Sequence, residues 1–149
     1  MVGVAFPPEL AIEASLKEGA VYFLVNHSYE SQNFHYYIVL NCCPETDQEI
    51  VMVNATSKIE KGLERIKYRN LPHDTFVVVE PIEYCELRVS TGFDCNSPTL
   101  RTKTELIELL KNNELETKQD CPVVLLNKLR NAIILSPMVE QRVINMVKK

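Results

Sequence analysis

The sequence has no apolar run that could cross a bilayer. Its hydrophobic stretches, such as residues 36–40 and 76–79, fall far short of the roughly 20 residues that a membrane span needs. Residues 1–16 also lack the basic segment of a signal peptide, and they place Glu9 and Glu13 where its apolar core would have to be. We therefore expect a cytoplasmic protein that does not enter a membrane.

The five cysteines form no CxxC pair, and their odd number argues against a disulfide framework. The sequence therefore predicts reduced thiols, no metal site and no bound cofactor. Only 4 glycines stand against 8 prolines, and 46% of the residues are hydrophobic against 24% charged. This composition excludes fibrous and disordered chains and indicates a single domain over residues 1–149.

A general excess of positive charge is also missing, because 20 acidic residues outnumber 16 basic ones and the formal net charge is -4. Non-specific binding to duplex nucleic acid is thereby disfavoured. One segment reverses the sign, since residues 58–69 contain five cations and two acids. A local basic patch is therefore compatible with the composition.

The hydrophobic pattern changes once, near Pro98. Before that point, short runs rich in Val, Ile, Tyr and Phe predict strands at residues 20–26, 34–41, 49–55, 75–80 and 86–90. Turn-forming residues join the second and third of these strands into an antiparallel hairpin. Since no helix-length crossover separates the first three strands, a small, strongly bent antiparallel barrel over residues 19–97 is favoured over a parallel sheet.

Helical spacing of apolar residues replaces this pattern in residues 98–149. A capping-box sequence that begins at Thr102 predicts a helix to about residue 111. Further start signals predict a second helix over residues 120–131 and a third from Ser136. With an amphipathic helix at residues 8–18, the sequence predicts an α+β fold with one N-terminal helix and about three C-terminal helices.

The most unusual local sequence follows the third predicted strand, where Thr56, Ser57 and Lys58 are close to Lys61 and Arg65. Hydroxyls and cations at a strand end can bind a phosphate and stabilise the charge of a phosphorane-like transition state. The structural interpretation of the same residues is a serine/threonine turn followed by a solvated basic loop. The residue pattern leaves both interpretations open.

Histidine is the side chain best suited to proton transfer near neutral pH. His35 stands at the mouth of an apolar strand, whereas His27 and His73 lie in polar loops. Asp94 and Asn96 belong to a polar turn at the junction of the two halves, and Glu80 ends the fourth predicted strand. Each of these residues either contributes to a site or only caps and solvates the chain.

Four segments follow one another in an order and spacing that is found in one known family. They are GAVYF at residues 19–23, HYYIVLN at 35–41, EIVMVNATSKI at 49–59 and TFVVVE at 75–80. They resemble the successive strands of the MazF/PemK-like toxins of bacterial toxin–antitoxin systems. The resemblance covers residues 19–84, and its most specific motif is Thr-Ser-Lys at a strand end.

The resemblance implies an SH3-like barrel with added helices. It also implies metal-independent cleavage of single-stranded RNA through the 2′-hydroxyl, which leaves a 2′,3′-cyclic phosphate and a 5′-hydroxyl. Thr56 and Ser57 match the hydroxyl residues of the family, and Lys58 matches the lysine of its ToxN-like branch. The family's arginine before the second strand is replaced by His35, which can move protons where an arginine holds a fixed charge.

The leading hypothesis is therefore a toxin that acts as an endoribonuclease. Its expected catalytic residues are His35, Thr56, Ser57 and Lys58, and its expected substrate-binding residues are Lys61, Arg65, Asp94 and Asn96. The implied partners are single-stranded RNA, a cognate antitoxin of protein or RNA, and a second subunit in a homodimer or heteromer. The alternative is a non-catalytic module of the same fold that binds a protein or peptide, which the loss of the family arginine favours.

Overall fold

The computed structural model describes residues 6–25 and 34–149. The helices in these ranges are α1 (Pro8–Ser15), α2 (Ile59–Tyr68), α3 (Lys103–Lys111), α4 (Val123–Leu135) and α5 (Gln141–Val147). The strands are β1 (Val21–Val25), β2 (Phe34–Val39), β3 (Ile50–Thr56), β4 (Phe76–Val79), β5 (Thr91–Asp94), β6 (Thr99–Arg101) and β7 (Leu115–Lys118). No helix within these two ranges is long and apolar enough to cross a membrane.

All strand pairs are antiparallel, and the sheet has the order β4-β5-β3-β2-β1-β7 with β6 beside β3. The predicted hairpin is confirmed as the β2–β3 pair, in which Tyr37 lies opposite Asn54. The expected α+β class with an antiparallel sheet is therefore confirmed. Among the described strands, β4 and β7 occupy opposite ends of the sheet, and the hydrogen-bonded path does not close into a barrel.

Three observed strands, β5, β6 and β7, differ from the sequence-based prediction. The strand predicted at residues 86–90 is wrong, because this segment forms a turn in which the Leu87 N–H donates to the Tyr84 carbonyl at 3.1 Å, and β5 begins only at Thr91. The sequence also fails to predict β7, a short strand in which only Leu115 is buried. Strands β6 and β7 both come from the part of the chain whose apolar spacing is helical.

The interpretation of residues 58–69 as a solvated loop is wrong, because the segment contains α2. Only Gly62 and Ile66 of this helix are buried, so its apolar pattern is weak among many charges. Helix α3 has the predicted start, since Thr102 Oγ1 accepts from the Glu105 N–H and the Glu105 carboxylate accepts from the Thr102 N–H, both at 3.1 Å.

The ends of the other helices differ from their sequence signals. Helix α4 begins after Pro122 and extends to Leu135, beyond the predicted residue 131. Helix α5 begins at Gln141 instead of Ser136, because the Ser136 hydroxyl accepts from the Met138 N–H and stabilises a turn there. Helix α1 ends at Ser15, earlier than predicted.

Two hydrophobic cores lie on the two faces of the sheet. Alternate residues of β1, β2 and β3, among them Tyr22, Tyr37 and Met52, face α1 and α3. The intervening residues, such as Ile38 and Val53, face α4 and α5. These strands are therefore buried on both faces along most of their length, which explains why their sequences are nearly continuous apolar runs.

The strand beside β3 is interrupted. Strand β5 pairs with β3 as far as Phe93, and β6 begins its pairing with β3 at Thr99. The five residues 94–98 therefore lie opposite only two residues of β3, at positions 53–54. This bulge brings polar side chains to the end of β3 and locally ends the regular ladder.

Helix α2 packs on β4 and β5 through the buried ring of Phe76. The ring lies between two glycines, because a Cβ atom at Gly62 would be 2.2 Å from Phe76 Cε2 and one at Gly92 would be 2.3 Å from Phe76 Cζ. Neither position has space for a larger residue. Since Gly92 lies opposite Thr56, α2 covers the same sheet face as α1 and α3, but at its other end.

We predict that Gly62→Ala lowers the free energy of unfolding by about 1–3 kcal/mol, the usual cost of overpacking. At an exposed helical position the same substitution raises the free energy of unfolding by up to about 1 kcal/mol, because alanine has a higher helix propensity than glycine. Chemical denaturation measures the difference. Adding Phe76→Leu to Gly62→Ala is the control, because a smaller side chain removes part of the overpacking. A Gly62→Ala variant that is more stable than the wild type contradicts the close packing.

Candidate functional site

An uncovered part of one sheet face forms the floor of a cleft with a volume of about 820 Å³. Strands β2 and β3 supply the floor, through His35, Asn54 and Thr56. Helix α2 supplies one wall, and the bulge between β5 and β6 supplies another. The cleft therefore lies on the sheet face between the part that α1 and α3 cover and the part that α2 covers.

Six of the eight residues predicted for the site line this cleft. They are His35, Thr56, Lys58, Lys61, Arg65 and Asp94. Ser57 is exposed in a smaller depression of about 400 Å³, which shares Lys58 and Lys61 with the cleft. Asn96 is buried and does not line the cleft. The structure thus brings most of the predicted residues together in one cleft and leaves Ser57 and Asn96 outside it.

His35 and Thr56 reach the cleft from neighbouring strands. The β2–β3 ladder ends at the Tyr37–Asn54 pair, and His35 and Thr56 each lie two residues beyond it, on adjacent strands that both line the cleft. Both side chains share the sheet face of Tyr37 and Asn54, because side chains alternate along a strand. Antiparallel pairing therefore places the start of β2 beside the end of β3.

The Thr56 hydroxyl takes part in a local turn. Its Oγ1 accepts a hydrogen bond from the Lys58 backbone N–H at 3.1 Å. This is the serine/threonine turn of the structural interpretation. A hydroxyl that accepts through one lone pair still carries a proton that it can donate to an anion. The turn therefore orients Thr56 at the cleft without exhausting its hydrogen-bonding capacity.

Helix α2 and the residue that follows it bring three cations to the cleft at four-residue intervals. Lys61, Arg65 and Arg69 follow one another every four residues, and all three line the cleft. Lys58 adds a fourth positive charge, and among the described residues that line the cleft Asp94 is the one acidic residue. The sequence prediction missed Arg69, although the four-residue spacing is visible once the segment is known to be helical. The cleft is therefore electropositive within an acidic chain.

Asp94 holds Arg65 in the wall of the cleft. Its Oδ2 lies 3.4 Å from Arg65 Nη2, and its Oδ1 accepts from the backbone N–H and from Nδ2 of Asn96, both at 3.0 Å. The Asp94 side chain is 18% exposed, whereas that of Arg65 is 50% exposed. Because both carboxylate oxygens are engaged, Asp94 is better suited to positioning Arg65 than to contacting a substrate anion.

Asn96 connects Asp94 to the interior. Its Nδ2 also donates to Thr75 Oγ1 at 2.8 Å, and its Oδ1 accepts from Ser136 Oγ at 2.6 Å. The Thr75 hydroxyl donates to the Pro72 carbonyl at 2.6 Å. Asn96, Thr75 and Ser136 are all buried, so this network satisfies polar groups that are costly to leave unpaired. The expected contact of Asn96 with a substrate is therefore replaced by a role inside the protein.

His35 is half-buried at the floor of the cleft. Burial lowers the pKa of its imidazole below the ordinary value, because the charged form loses hydration. The ring is therefore neutral at pH 7 and can accept a proton. An arginine in the same place could not accept one, since its guanidinium stays charged.

Of the two other histidines, only His73 lies in the described residues. His27 falls in residues 26–33, which lie outside the described residues. His73 is exposed in a short 3-10 turn, and the Glu80 carboxylate accepts from the Ser90 hydroxyl, so neither His73 nor Glu80 lines the cleft. In residues 6–25 and 34–149, no three His, Cys, Asp or Glu side chains are grouped so that they could hold a metal ion.

Comparison with known proteins assigns no family to this chain. No family model matches the sequence, and no curated protein matches it either. The functional assignment therefore depends on the geometry of the cleft and on the motifs that the sequence itself carries.

We predict that Asn96→Ala lowers the free energy of unfolding by about 1–3 kcal/mol, because it leaves the buried hydroxyls of Thr75 and Ser136 without their shared partner. Ser97→Ala is the matched control, since Ser97 is the exposed neighbour on the same turn and its loss should change stability by no more than about 0.5 kcal/mol. Denaturant unfolding compares the two variants. Equal stability of the two variants would show that the buried network contributes nothing measurable.

The lowered pKa of His35 predicts a pH dependence of stability. Between the folded-state pKa and the unfolded value of about 6.5, the unfolded chain binds more protons, so the free energy of unfolding rises with pH through this window. It should become independent of His35 above about pH 7. NMR titration gives the pKa directly, and His35→Gln should remove this part of the pH dependence. A His35 pKa above 6.5 contradicts the burial of the ring.

Proposed function

We propose that the cleft binds the backbone of single-stranded RNA and that the protein is an endoribonuclease toxin similar to the MazF/PemK-like proteins, with a bent SH3-like barrel as its β-core. One observation carries the proposal. A neutral imidazole, an oriented hydroxyl and four cations line one cleft in a chain whose net charge is -4. A proton acceptor beside a phosphate-binding group is the combination that RNA transesterification requires.

RNA supplies its own nucleophile in this reaction. His35 removes the proton of the 2′-hydroxyl, and the 2′-oxygen then attacks the adjacent phosphorus. The bond to the 5′-oxygen breaks, and this oxygen takes up a proton, for which Lys58 and water are available donors. The products are a 2′,3′-cyclic phosphate and a 5′-hydroxyl. The lowered pKa of His35 suits the first step, because the base must be unprotonated before the reaction begins.

The cations stabilise the charge that develops on the phosphate. Lys58 and the Thr56 hydroxyl contact the non-bridging oxygens of the scissile phosphate, since both line the cleft with His35. Lys61 and Arg65 guide the backbone along the α2 wall. Ser57 belongs to the adjoining depression and is placed to contact the next phosphate of the strand.

A single strand fits this site better than a duplex does. The cleft volume of about 820 Å³ falls in the range of about 300–1,000 Å³ typical of pockets for single small ligands. The acidic remainder of the chain repels the second strand of a duplex. A toxin of this kind acts in the cytoplasm, is silenced by a cognate antitoxin and forms a homodimer or heteromer, and these properties belong to the proposal.

The decisive experiment is incubation of the purified protein with mixed-sequence RNA in the presence of EDTA. We expect fragments that end in a 2′,3′-cyclic phosphate and begin with a 5′-hydroxyl. His35→Ala should lower the cleavage rate by roughly 100-fold or more, the usual scale for a general base. His73→Ala is the matched control, because His73 is exposed outside the cleft. Intact RNA with the wild-type protein would refute the enzyme and favour a non-catalytic binding module.

His35→Arg separates proton transfer from charge in the same assay. If the site needs a proton acceptor, arginine should be nearly as damaging as alanine, because a guanidinium does not give up its proton. If the site needs only positive charge, arginine should retain most activity and flatten the pH profile between about 5.5 and 8. Full activity of both variants removes His35 from the mechanism.

A further inference from the structure

Helix α2 presents a charged and aromatic face that extends beyond the cleft. Arg65 and Arg69 line the cleft one turn apart, and Tyr68 is the last residue of the helix. At 100° per residue, Tyr68 lies only about 20° around the helix from Lys61. The ring therefore borders the row of cations that faces the cleft, instead of facing the protein interior.

The exposure of Tyr68 is not explained by packing. Its side chain is 93% exposed, whereas Tyr22, Tyr37 and Tyr84 are at most 1% exposed. Burial of an aromatic ring is one of the larger stabilising contributions available to a fold, and Tyr68 does not supply it. Asn70 adopts a left-handed conformation with a φ of 55°, which ends the helix just after the ring. No later helical turn covers Tyr68.

We propose that Tyr68 and Arg69 form a nucleotide subsite at the edge of the cleft, in which an unpaired base stacks on the Tyr68 ring and Arg69 holds the adjoining phosphate. The ligand is a single strand, because a paired base does not offer its face to a side chain. This inference rests on the proposed function, since the same RNA strand continues into the cleft toward His35.

The spacing of the helix suits this arrangement. One turn from Arg65 to Arg69 advances about 6 Å along the axis, so successive cations follow a backbone that runs along α2. A positive groove with aromatic platforms beside it is the general design by which proteins hold single-stranded nucleic acid. At the other end of the row, Lys58 and Lys61 continue into the smaller depression. The RNA strand can therefore follow a row of cations on both sides of the cleft floor.

The absence of tryptophan from the sequence allows a direct test. Tyr68→Trp introduces the sole indole of the chain at an exposed position, so it should not disturb folding. A short single-stranded oligonucleotide with 2′-O-methyl groups at every position cannot be cleaved through the 2′-hydroxyl. Its addition should quench the indole fluorescence in a saturable manner. Ile82→Trp is the matched control, since Ile82 is 96% exposed and does not line the cleft, and it should show no quenching.

Affinity for the same oligonucleotide gives a second readout. Tyr68→Ala should weaken binding by roughly 5- to 100-fold, and Tyr68→Phe should bind within about twofold of the wild type because the stacking face is kept. Arg69→Ala should weaken binding more than Lys67→Ala, since Arg69 lines the cleft and Lys67 does not. All affinities are compared at one salt concentration.

The outcomes separate this subsite from the proposed enzyme. If the wild type cleaves RNA while Tyr68→Ala binds the oligonucleotide as tightly as the wild type, the subsite is refuted and the endoribonuclease stands. If the oligonucleotide quenches Tyr68→Trp and the wild type leaves RNA intact, the subsite stands and the endoribonuclease is refuted. An oligonucleotide that does not bind the wild type refutes the subsite, whatever the cleavage assay shows.

Discussion

Residues 94–98 lie opposite only two residues of β3, and the cleft depends on the bulge that these five residues form. The extra backbone cannot continue the ladder, so its polar groups need other partners. Asn96 turns inward and joins the buried hydroxyls of Thr75 and Ser136, while Asp94 turns toward Arg65. The bulge therefore connects the core near α4 to the wall of the cleft through hydrogen bonds from Ser136 to Asp94 and an ion pair from Asp94 to Arg65.

The close approach of α2 to the sheet sets the charge of the cleft. Gly62 and Gly92 leave only enough space for the Phe76 ring between helix and sheet, so the cations on the adjacent face of α2 project over the end of β3. Four like charges around one cleft repel each other, and Asp94 offsets only part of this repulsion. A bound polyanion relieves the remainder, so this arrangement favours ligand binding at some cost to the free protein.

The sequence predicts those parts of the structure that depend on local patterns. The β2–β3 hairpin and the capping box at Thr102 follow from turn residues, apolar runs and one hydroxyl–carboxylate pair. The position of β5 cannot be predicted from local patterns. Residues 86–90 have the sequence of a strand, and the turn that they form is stabilised by contacts that the sequence does not show. Helix α2 could not be predicted from its own sequence, because the ring that packs against its buried face, Phe76, belongs to strand β4. The burial of Asn96 depends on Ser136, forty residues away.

The histidine at the floor of the cleft is consistent with the electrostatics around it. Under the proposed likeness to the MazF/PemK-like toxins, an arginine is expected before the second strand, whereas position 35 here is a half-buried histidine that lines the cleft together with Thr56. A permanent guanidinium charge there would lose hydration and would add a fifth cation to a cleft that already holds four. Lys61 and Arg65 of α2, with Lys58 and Arg69 at its two ends, already supply positive charge to the cleft. Position 35 is thereby left for a neutral ring, whose useful property is its ability to take up and release a proton.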